Sequence, residues 1–315
     1  MPRALRHVVG WRSLEEFILA LEQRGELLRV SHPVDVELEA GCIADLLVKR
    51  NGPAVIFDQP RLGDGSISRY PLAMNLFGTR DRTNLALGVV EPKEIGEMMT
   101  GLMKPDIGGI LRRPWTGLGL LRQGISMAPR KVSRGNCQQV RMDNPDVTRL
   151  PIPTSWPQDG GPFMTLPLVV TSDPETGVHN LGMYRSQVFG PDEVGLHWQK
   201  HKHGADHAEA SEDRMPVAIC LGGPPQVIFS AISPLPDNLS EYEFAGLLSG
   251  RRLKITKCLT NDLWVPADCD FVIEGYTLPS ERRMEGPFGD HFGHYSLEDE
   301  YPVMHVTAIT HRKDP

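Results

Sequence analysis

The chain has 315 residues, a formal net charge of -7 and a pI of about 5.9. An acidic protein is a poor match for nucleic acid as its main partner, because the phosphate backbone is itself negative. Hydrophobic residues make up 40% of the chain and charged residues 23%, which predicts a folded globular protein with room for two domains. No apolar run reaches the roughly 18 residues that a membrane-spanning helix needs.

Cysteine usage and the N-terminal residues indicate the compartment. The five cysteines are scattered, odd in number and form no Cys-x-x-Cys pair. This usage is typical of reduced thiols rather than of a disulfide framework or a zinc site. Residues 1–6 lack the apolar core of a signal peptide. We therefore expect a cytoplasmic protein.

The first third of the chain predicts an α/β layer. A capping box of Ser13 and Glu16 begins a helix that Gly25 ends. Two more helices are predicted, one around residues 43–47 and one that opens at Pro92. Short apolar runs predict strands at Leu27–Val30, Ala54–Phe57 and Leu72–Leu76. We assign residues 1–115 to this N-terminal domain.

A basic stretch follows. Residues 107–142 contain arginine, lysine and recurrent glycine but no acidic residue. This pattern predicts an irregular connector between domains. A phosphate-bearing ligand or an acidic surface could bind it, and a solvated linker is the simpler alternative.

The remainder is rich in predicted strands. Two helices interrupt them, one at about Asp192–Ala210 and one after Ser240, whose capping-box partner is Glu243. The fold class is therefore α+β, with a β-barrel or sandwich over residues 116–315. Short apolar runs predict strands at Leu166–Val170, Val217–Leu221, Val227–Ile232 and Val303–Ile309.

The segment from Glu285 to Asp290 carries two carboxylates joined by Gly-Pro-Phe-Gly. Glycine and proline exclude a helix and favour a stiff turn that aims both acids into one space. Neighbouring carboxylates can raise the pKa of one member, as a proton donor near neutral pH requires. The alternative is an ordinary surface turn with two solvated acids.

Three further clusters hold residues suited to chemistry. Asn180–Arg185 ends in a guanidinium that can hold a carboxylate. His197–His203, with His207 beyond, contains histidine pairs at helical i, i+4 spacing that suit either a metal or a solvated surface. Ser233-Pro234 precedes Glu241, whose charge also favours a helix N-terminus.

In order and spacing these clusters resemble the UbiD family of prenylated-flavin decarboxylases. The resemblance extends over essentially the whole chain, because the opening third and the middle also match. The matching segments are Asn75–Gly78, Pro151–Pro153, Asp159–Pro162, Asn180–Arg185, Trp198–His203, Ser233-Pro234 with Glu241, and Glu285–Asp290.

The resemblance implies an N-terminal α/β domain, a flavin-binding split β-barrel and a C-terminal domain that assembles homo-oligomers. It implies prenylated FMN, supplied by a separate flavin prenyltransferase and held through Mn²⁺ together with K⁺. Metal ligands at Asn180, His203 and Glu241 would suit such an ion. An acid–base group of Arg185, Glu285 and Asp290 would face the substrate, with Asp290 as the final proton donor. The residues implied to line the cofactor are Asn180, Met183, Tyr184, Arg185, Trp198, Lys202, His203, Ser233, Pro234 and Glu241.

The implied function is non-oxidative decarboxylation of an aromatic or polyprenylated hydroxyaromatic acid, with ubiquinone or menaquinone biosynthesis as a candidate pathway. Three alternatives stay open: a non-catalytic flavin- or metal-binding subunit, the reverse carboxylation, and a plain FMN oxidoreductase. The sequence stops at Pro315, where the family's C-terminal domain normally follows. We expect weaker cofactor loading than in a form extended beyond that point.

Overall fold

The computed structural model of the chain describes residues 10–103, 114–198, 204, 211, 213–236, 239–290 and 292–315. They form a mixed helix and strand fold, which confirms the expected α+β class. No helix within these ranges is long and apolar enough to cross a membrane.

The N-terminal part is an α/β layer, as predicted. Strand β1 pairs in parallel with β3, and β3 pairs antiparallel with β5. Helix α1 begins where Ser13 Oγ accepts a hydrogen bond from the Glu16 amide at 3.1 Å, and its Phe17 and Leu21 are fully buried. The elements are α1 (Leu14–Gln23), β1 (Leu27–Val30), β2 (Val34–Asp35), α2 (Glu39–Lys49), β3 (Ala54–Phe57), β4 (Pro60–Arg61), β5 (Leu72–Met74), α3 (Arg80–Leu87) and α4 (Lys93–Met103).

The second part is dominated by strands. Among the described residues its α-helices are α5 (Pro114–Met127), α6 (Pro225–Ser230) and α7 (Glu241–Ser249). Its strands are β6 (Arg130–Val132), β7 (Val140–Arg141), β8 (Phe163–Met164), β9 (Leu168–Ser172), β10 (His179–Met183), β11 (Ser186–Val188), β12 (Glu193–Leu196), β13 (Met215–Leu221), β14 (Lys254–Lys257), β15 (Trp264–Pro266), β16 (Phe271–Glu285), β17 (Phe288–Gly289), β18 (Tyr295–Ser296) and β19 (Asp299–His311).

A nine-stranded sheet forms the centre of this part and curls into a half-barrel. Its strand order is β10-β9-β13-β16-β19-β12-β11-β8, with β7 also paired to β19. Side chains of β13 alternate between two cores: Val217 and Ile219 pack on one face, Ala218 and Cys220 on the other. Because both faces are covered, the strand reads as a continuous apolar run.

The predicted strand Val227–Ile232 is wrong, because most of this run lies in helix α6. The helix starts at Pro225, and its Val227 and Ile228 are both buried. A proline in the first turn suits a helix start, since its missing N–H has no partner there. The helix is only six residues long and its polar Gln226 and Ser230 are buried with the apolar residues, so no exposed polar face marks a 3.6-residue period. Helix α6 therefore lies where the sequence predicted a strand.

The predicted helix Asp192–Ala210 is also wrong at its start. Residues 193–196 form β12, which pairs with both β11 and β19. Val194 and Leu196 point into the core and are fully buried. Most of the segment beyond Trp198 lies outside the described residues.

The expected irregular connector over residues 107–142 is wrong from residue 114 onward. Helix α5 occupies residues 114–127, and β6 then pairs in parallel with β14. Residues 107–113 are not among those described. The boundary at 115/116 falls inside α5 and stays a proposal.

Candidate functional site

A cavity of about 890 Å³ lies between β10, the turn after α6 and the start of α7. This volume is within the range of pockets that hold small molecules and cofactors. The lining contains seven of the residues expected around the cofactor: Asn180, Met183, Tyr184, Arg185, Ser233, Pro234 and Glu241. Residues from three separate segments of the sequence thus meet around one space.

Asn180 and Glu241 lie side by side on the wall of the cavity. Helix α7 begins with the predicted capping box, in which Ser240 Oγ accepts from the Glu243 amide at 3.2 Å and the Ser240 amide donates to Glu243 Oε2 at 3.0 Å. The cap sets Glu241 at the first helical position, where its Oε2 accepts from the Leu181 amide at 3.3 Å. The carboxylate therefore lies next to the Asn180 position on β10.

Oxygen atoms from an amide and a carboxylate suit a divalent cation such as Mn²⁺. Asn180 is only 6% exposed, so its amide is already drawn out of bulk solvent. The donor set at this wall therefore fits the metal expected from the sequence. The third expected ligand, His203, and the cofactor residue Lys202 lie outside the described part of the chain.

A buried ion pair joins Arg185 to Glu285, which is the last residue of β16. Arg185 Nε donates to Glu285 Oε1 at 3.0 Å, and the Nη2 group donates to Oε2 at 3.3 Å. Nη2 also donates to Ser296 Oγ at 3.0 Å. The guanidinium lies 4.8 Å from the ring centre of Phe288, which stabilises its orientation. The Glu285 side chain is 0% exposed.

His197 is a second partner of Glu285 that sequence reasoning missed. Its Nδ1 lies 2.7 Å from Glu285 Oε2. Its ring lies 4.2 Å from that of Tyr301, and its Nε2 is 3.5 Å from the Tyr301 hydroxyl. The histidine-rich segment suggested a metal pair or a solvated surface. Pairing β11 with β12 would have placed His197 opposite Arg185 and so near Glu285, but the sequence predicted this segment as helix.

The pKa of Glu285 is lowered. Burial alone would raise it, but the hydrogen bonds from His197 and Arg185, with the Arg185 charge, outweigh the burial. Glu285 is therefore ionised at neutral pH, so it is not the member of the Glu285/Asp290 pair that could have the raised pKa of a proton donor. An ionised carboxylate only accepts hydrogen bonds, so Nδ1 of His197 must be the donor.

The segment after Glu285 is not helical, as predicted. Gly286 has φ 102°, which strongly favours glycine, and the Gly286-Pro287 peptide bond is cis. The Gly286 amide donates to Gln187 Oε1 at 2.8 Å. Asp290 Oδ1 accepts from the amides of Phe292 and His294 at 2.9 and 3.0 Å. These bonds place Asp290 in its own turn, and its role as proton donor stays a prediction.

Trp198, expected to line the cofactor, is 4% exposed and packs in the core with Leu196 and Met215. Its side chain supports the sheet directly after β12. Contact with a bound cofactor also stays a prediction.

Family comparisons add an independent observation. The model described as "3-octaprenyl-4-hydroxybenzoate carboxy-lyase Rift-related domain" matches residues 130–315, and the corresponding N-terminal domain model matches residues 18–100. The first match alone covers more than half of the chain. The chain belongs to the UbiD family.

This UbiD-family chain is similar to longer proteins. It is 42% identical over 311 residues to an uncharacterized protein of Archaeoglobus fulgidus, and the match covers 98% of this chain and 63% of that protein. The chain therefore spans slightly less than two thirds of this relative's length.

Solved UbiD-class structures share its fold. An evolved dimeric form of the enzyme HmfF from Pelotomaculum thermopropionicum, in complex with prFMN, superposes with a TM-score of 0.83 at 28% identity, covering 97% of this chain and 66% of that one. The closed form of vanillic acid decarboxylase from Sedimentibacter hydroxybenzoicus also gives a TM-score of 0.83, at 30% identity, covering 97% of this chain and 63% of that one.

Proposed function

We propose that this UbiD-family chain binds prenylated FMN and removes CO2 from an aromatic carboxylic acid. One observation carries the proposal: a single cavity is lined by the candidate metal ligands Asn180 and Glu241 and by Arg185, whose charge is held in place by Glu285. Asn180 lies on β10 and Arg185 lies in the segment between β10 and β11, so the two groups reach the cavity from different positions along its wall.

Residues of the wall supply the contacts that such a cofactor needs. Asn180 and Glu241, with His203, would bind Mn²⁺ and so help to hold the cofactor, and K⁺ is proposed as a second ion. Met183, Tyr184, Ser233 and Pro234 line the same cavity and would pack against the flavin. The HmfF complex with prFMN supports this choice of cofactor, which a flavin prenyltransferase would supply. Trp198 and Lys202 are proposed to complete the binding site.

Loss of CO2 from an aromatic acid leaves an electron pair on a ring carbon, and prenylated FMN supplies the electron sink that no side chain provides. The protein's own part is to bind, orient and protonate. Arg185 would donate to the substrate carboxylate through Nη1, because its Nε and Nη2 already donate to Glu285 and Ser296, which fix its orientation. Asp290 is proposed to deliver the proton to the vacated carbon.

The substrate is proposed to be a hydroxyaromatic acid, with or without a polyprenyl chain. The family description and the vanillic acid decarboxylase both point to this class. Quinone biosynthesis in the cytoplasm is a candidate setting, and a high CO2 level would favour the reverse carboxylation. We also propose homo-oligomerisation, in keeping with the dimeric HmfF form.

A second candidate is a flavin- and metal-binding subunit without activity of its own. The same cavity would serve this candidate, because binding a flavin and a metal needs its lining residues and not the proton transfer proposed for Asp290.

Production of the chain together with a flavin prenyltransferase tests both candidates. The absorbance and mass spectrum of the purified protein would show whether prenylated FMN is bound, and headspace analysis would show CO2 released from a panel of hydroxybenzoates. For the decarboxylase, wild type releases CO2, and Asp290→Asn retains the flavin without releasing CO2. Flavin binding without CO2 release supports the second candidate. Absence of bound flavin overturns both.

A further inference from the structure

Residues 285–290, here called the acid turn, are held at their start by Gln187. The Gly286 amide donates to Gln187 Oε1 at 2.8 Å, and Gln187 Nε2 donates to the Gly160 carbonyl at 2.8 Å. The Gly160 amide in turn donates to the Pro287 carbonyl at 2.8 Å. Gln187 is only 5% exposed, so water has little access to its side-chain bonds. One buried amide therefore links the acid turn to a second segment of the chain.

Asp159 holds the acid turn near its other end. Its Oδ1 accepts from the Gly289 amide at 2.8 Å, one residue before Asp290. Its Oδ2 accepts from the amides of Ser155 and Trp156 at 3.1 and 2.9 Å, and these bonds fix the orientation of the carboxylate. Hydrogen bonds from backbone N–H groups to a carboxylate are among the stronger ones in proteins. Asp159 therefore fixes the backbone that carries Asp290.

Gln187 and Arg185 bind adjacent residues of the acid turn. They are two positions apart at the start of β11, and side chains two positions apart along a strand share a face. Arg185 binds the carboxylate of Glu285, and Gln187 binds the amide of the next residue, Gly286. The start of the acid turn is therefore placed by the same strand that places Arg185.

The acid turn also packs closely against residues 156–160. A Cβ at Gly160 would lie 1.9 Å from the Gly286 carbonyl oxygen, and a Cβ at Gly289 would lie 2.4 Å from Trp156 Cδ1. The absence of these two side chains permits the close approach, and the bonds of Gln187 and Asp159 maintain it. The placement of Glu285 relative to Asp290 therefore depends on residues outside the acid turn.

We propose that Gln187 and Asp159 are positioning residues for proton transfer, Gln187 at the Glu285 end of the acid turn and Asp159 at the Asp290 end. The proposal rests on the proposed function, in which Asp290 delivers the proton. Neither residue is among the described residues that line the cavity, so both act through the acid turn and not on the substrate. A misplacement of about 1 Å can slow a reaction about a hundredfold. Loss of either residue should therefore lower kcat and leave KM nearly unchanged.

Gln187→Met tests the first position, because it removes both side-chain bonds with little change in size. In the chain loaded with prenylated FMN, we expect kcat for CO2 release from a hydroxybenzoate to fall by about tenfold to a hundredfold. KM should stay within about twofold of wild type, because the cavity wall is unchanged. Slower proton delivery should also raise the solvent deuterium isotope effect on kcat.

Gln138→Met is the matched control. Gln138 is 6% exposed, its Nε2 donates to the Lys257 carbonyl at 2.7 Å, and its Oε1 accepts from the Gly135 amide at 3.2 Å. This variant therefore removes the same kind of buried bridge from outside the acid turn, so it should lose stability but keep the kcat and the isotope effect of wild type. An unchanged kcat in Gln187→Met, or an equal fall in Gln138→Met, overturns the proposal.

Two substitutions at Asp159 test the second position. Asp159→Asn keeps an oxygen that can accept from the Gly289 amide, whereas Asp159→Ala removes it. We expect Asp159→Ala to lower kcat by about tenfold or more and Asp159→Asn to restore most of that loss, with KM nearly unchanged in both. Equal kcat values in the two variants would overturn the role of Asp159.

Hydrogen exchange of the chain without flavin tests the contacts apart from activity. In wild type the amides of Gly286 and Gly289 should exchange about tenfold or more slowly than in an unstructured peptide. Gln187→Met should speed exchange at Gly286, and Gln138→Met should not. Exchange of both wild-type amides at the rate of an unstructured peptide overturns the proposal.

Failure of this inference can be told apart from failure of the proposed function. If loaded wild type releases no CO2, the proposed function fails and the positioning roles fail with it. If loaded wild type releases CO2 and Gln187→Met does so with the same kcat, the proposed function stands and the positioning role of Gln187 fails alone.

Discussion

Replacement of Glu285 by glutamine tests the buried acid–base cluster through protein stability. The substitution preserves shape and one acceptor oxygen but removes the charge between Arg185 and His197. Arg185 is only 16% exposed, so solvent can replace little of the lost interaction. Removing one partner of a buried ion pair typically costs about 3–5 kcal/mol, and the retained acceptor should lower this to about 2–4 kcal/mol.

Calorimetric melting at neutral pH is the assay. With an unfolding entropy of roughly 2 cal/mol/K per residue, each kcal/mol of lost stability lowers the melting temperature of a chain of this length by about 1.5 °C. Glu285→Gln should therefore melt about 3–6 °C below wild type. The matched control is Glu281→Gln, which removes another carboxylate bonded to a histidine. Glu281 is 37% exposed and is paired with His305 rather than with an arginine among the described residues, so its loss should cost below about 1 kcal/mol.

The effect of Glu285→Gln should also depend on pH. The pKa of Glu285 is lowered in the folded protein from its ordinary value of 4.5, because the hydrogen bonds and charge from His197 and Arg185 outweigh burial. Its stabilising contribution is therefore complete above pH 4.5 and is lost as the pH falls through the folded-state pKa. Equal melting temperatures for Glu285→Gln and Glu281→Gln at neutral pH would refute the reasoning.

Three further predictions concern the turn, the thiols and the metal ligands. A Cβ at Gly160 would lie 1.9 Å from the Gly286 carbonyl oxygen, so Gly160→Ala should lower the melting temperature by several degrees. The control is Gly190→Ala, which adds a Cβ in open space and should leave the melting temperature unchanged. Equal melting temperatures for the two variants would contradict the prediction. Cys42 is exposed and the other four cysteines are buried, so a thiol reagent should modify one thiol in the native protein and five after unfolding. Rapid modification of more than one thiol in the native protein would contradict this burial pattern. Glu241→Gln should weaken Mn²⁺ binding, followed by electron paramagnetic resonance, by roughly tenfold or more, and unchanged affinity would remove Glu241 from the ligand set.

Local signals in the sequence predicted local structure well. The Ser240 capping box correctly set the start of α7, because the two reciprocal bonds involve residues three positions apart. The Gly286-Pro287 turn was also predictable, since the backbone preferences of these residues act on the turn itself. Strand β13 was found because a run buried on both faces still reads as apolar.

Structure set by distant packing could not be read from the sequence in the same way. Helix α6 and strand β13 are both short apolar runs, and only their surroundings decide which is helix and which is strand. Strand β12 forms because β11 and β19 supply its hydrogen bonds from both sides.

In the candidate site, too, some contacts could be predicted from the sequence and others depended on distant packing. Family resemblance placed Arg185 and Glu285 together, although they are 100 positions apart. Periodicity marked His197 as a possible metal ligand, but nothing in the sequence indicated its contact with Glu285, because that contact depends on the register of the β11–β12 hairpin. The sequence also did not indicate that the pKa of Glu285 is lowered, because the shift depends on burial, which raises the pKa, and on hydrogen bonds from His197 and Arg185, which lower it.

A crystal structure of the chain with prenylated FMN and Mn²⁺ bound would test the central claim most directly. We predict that the flavin fills the cavity of about 890 Å³, with the metal bound by Asn180 and Glu241 and with Arg185 still paired to Glu285. A flavin bound elsewhere on the chain, or a metal that contacts neither Asn180 nor Glu241, would contradict it.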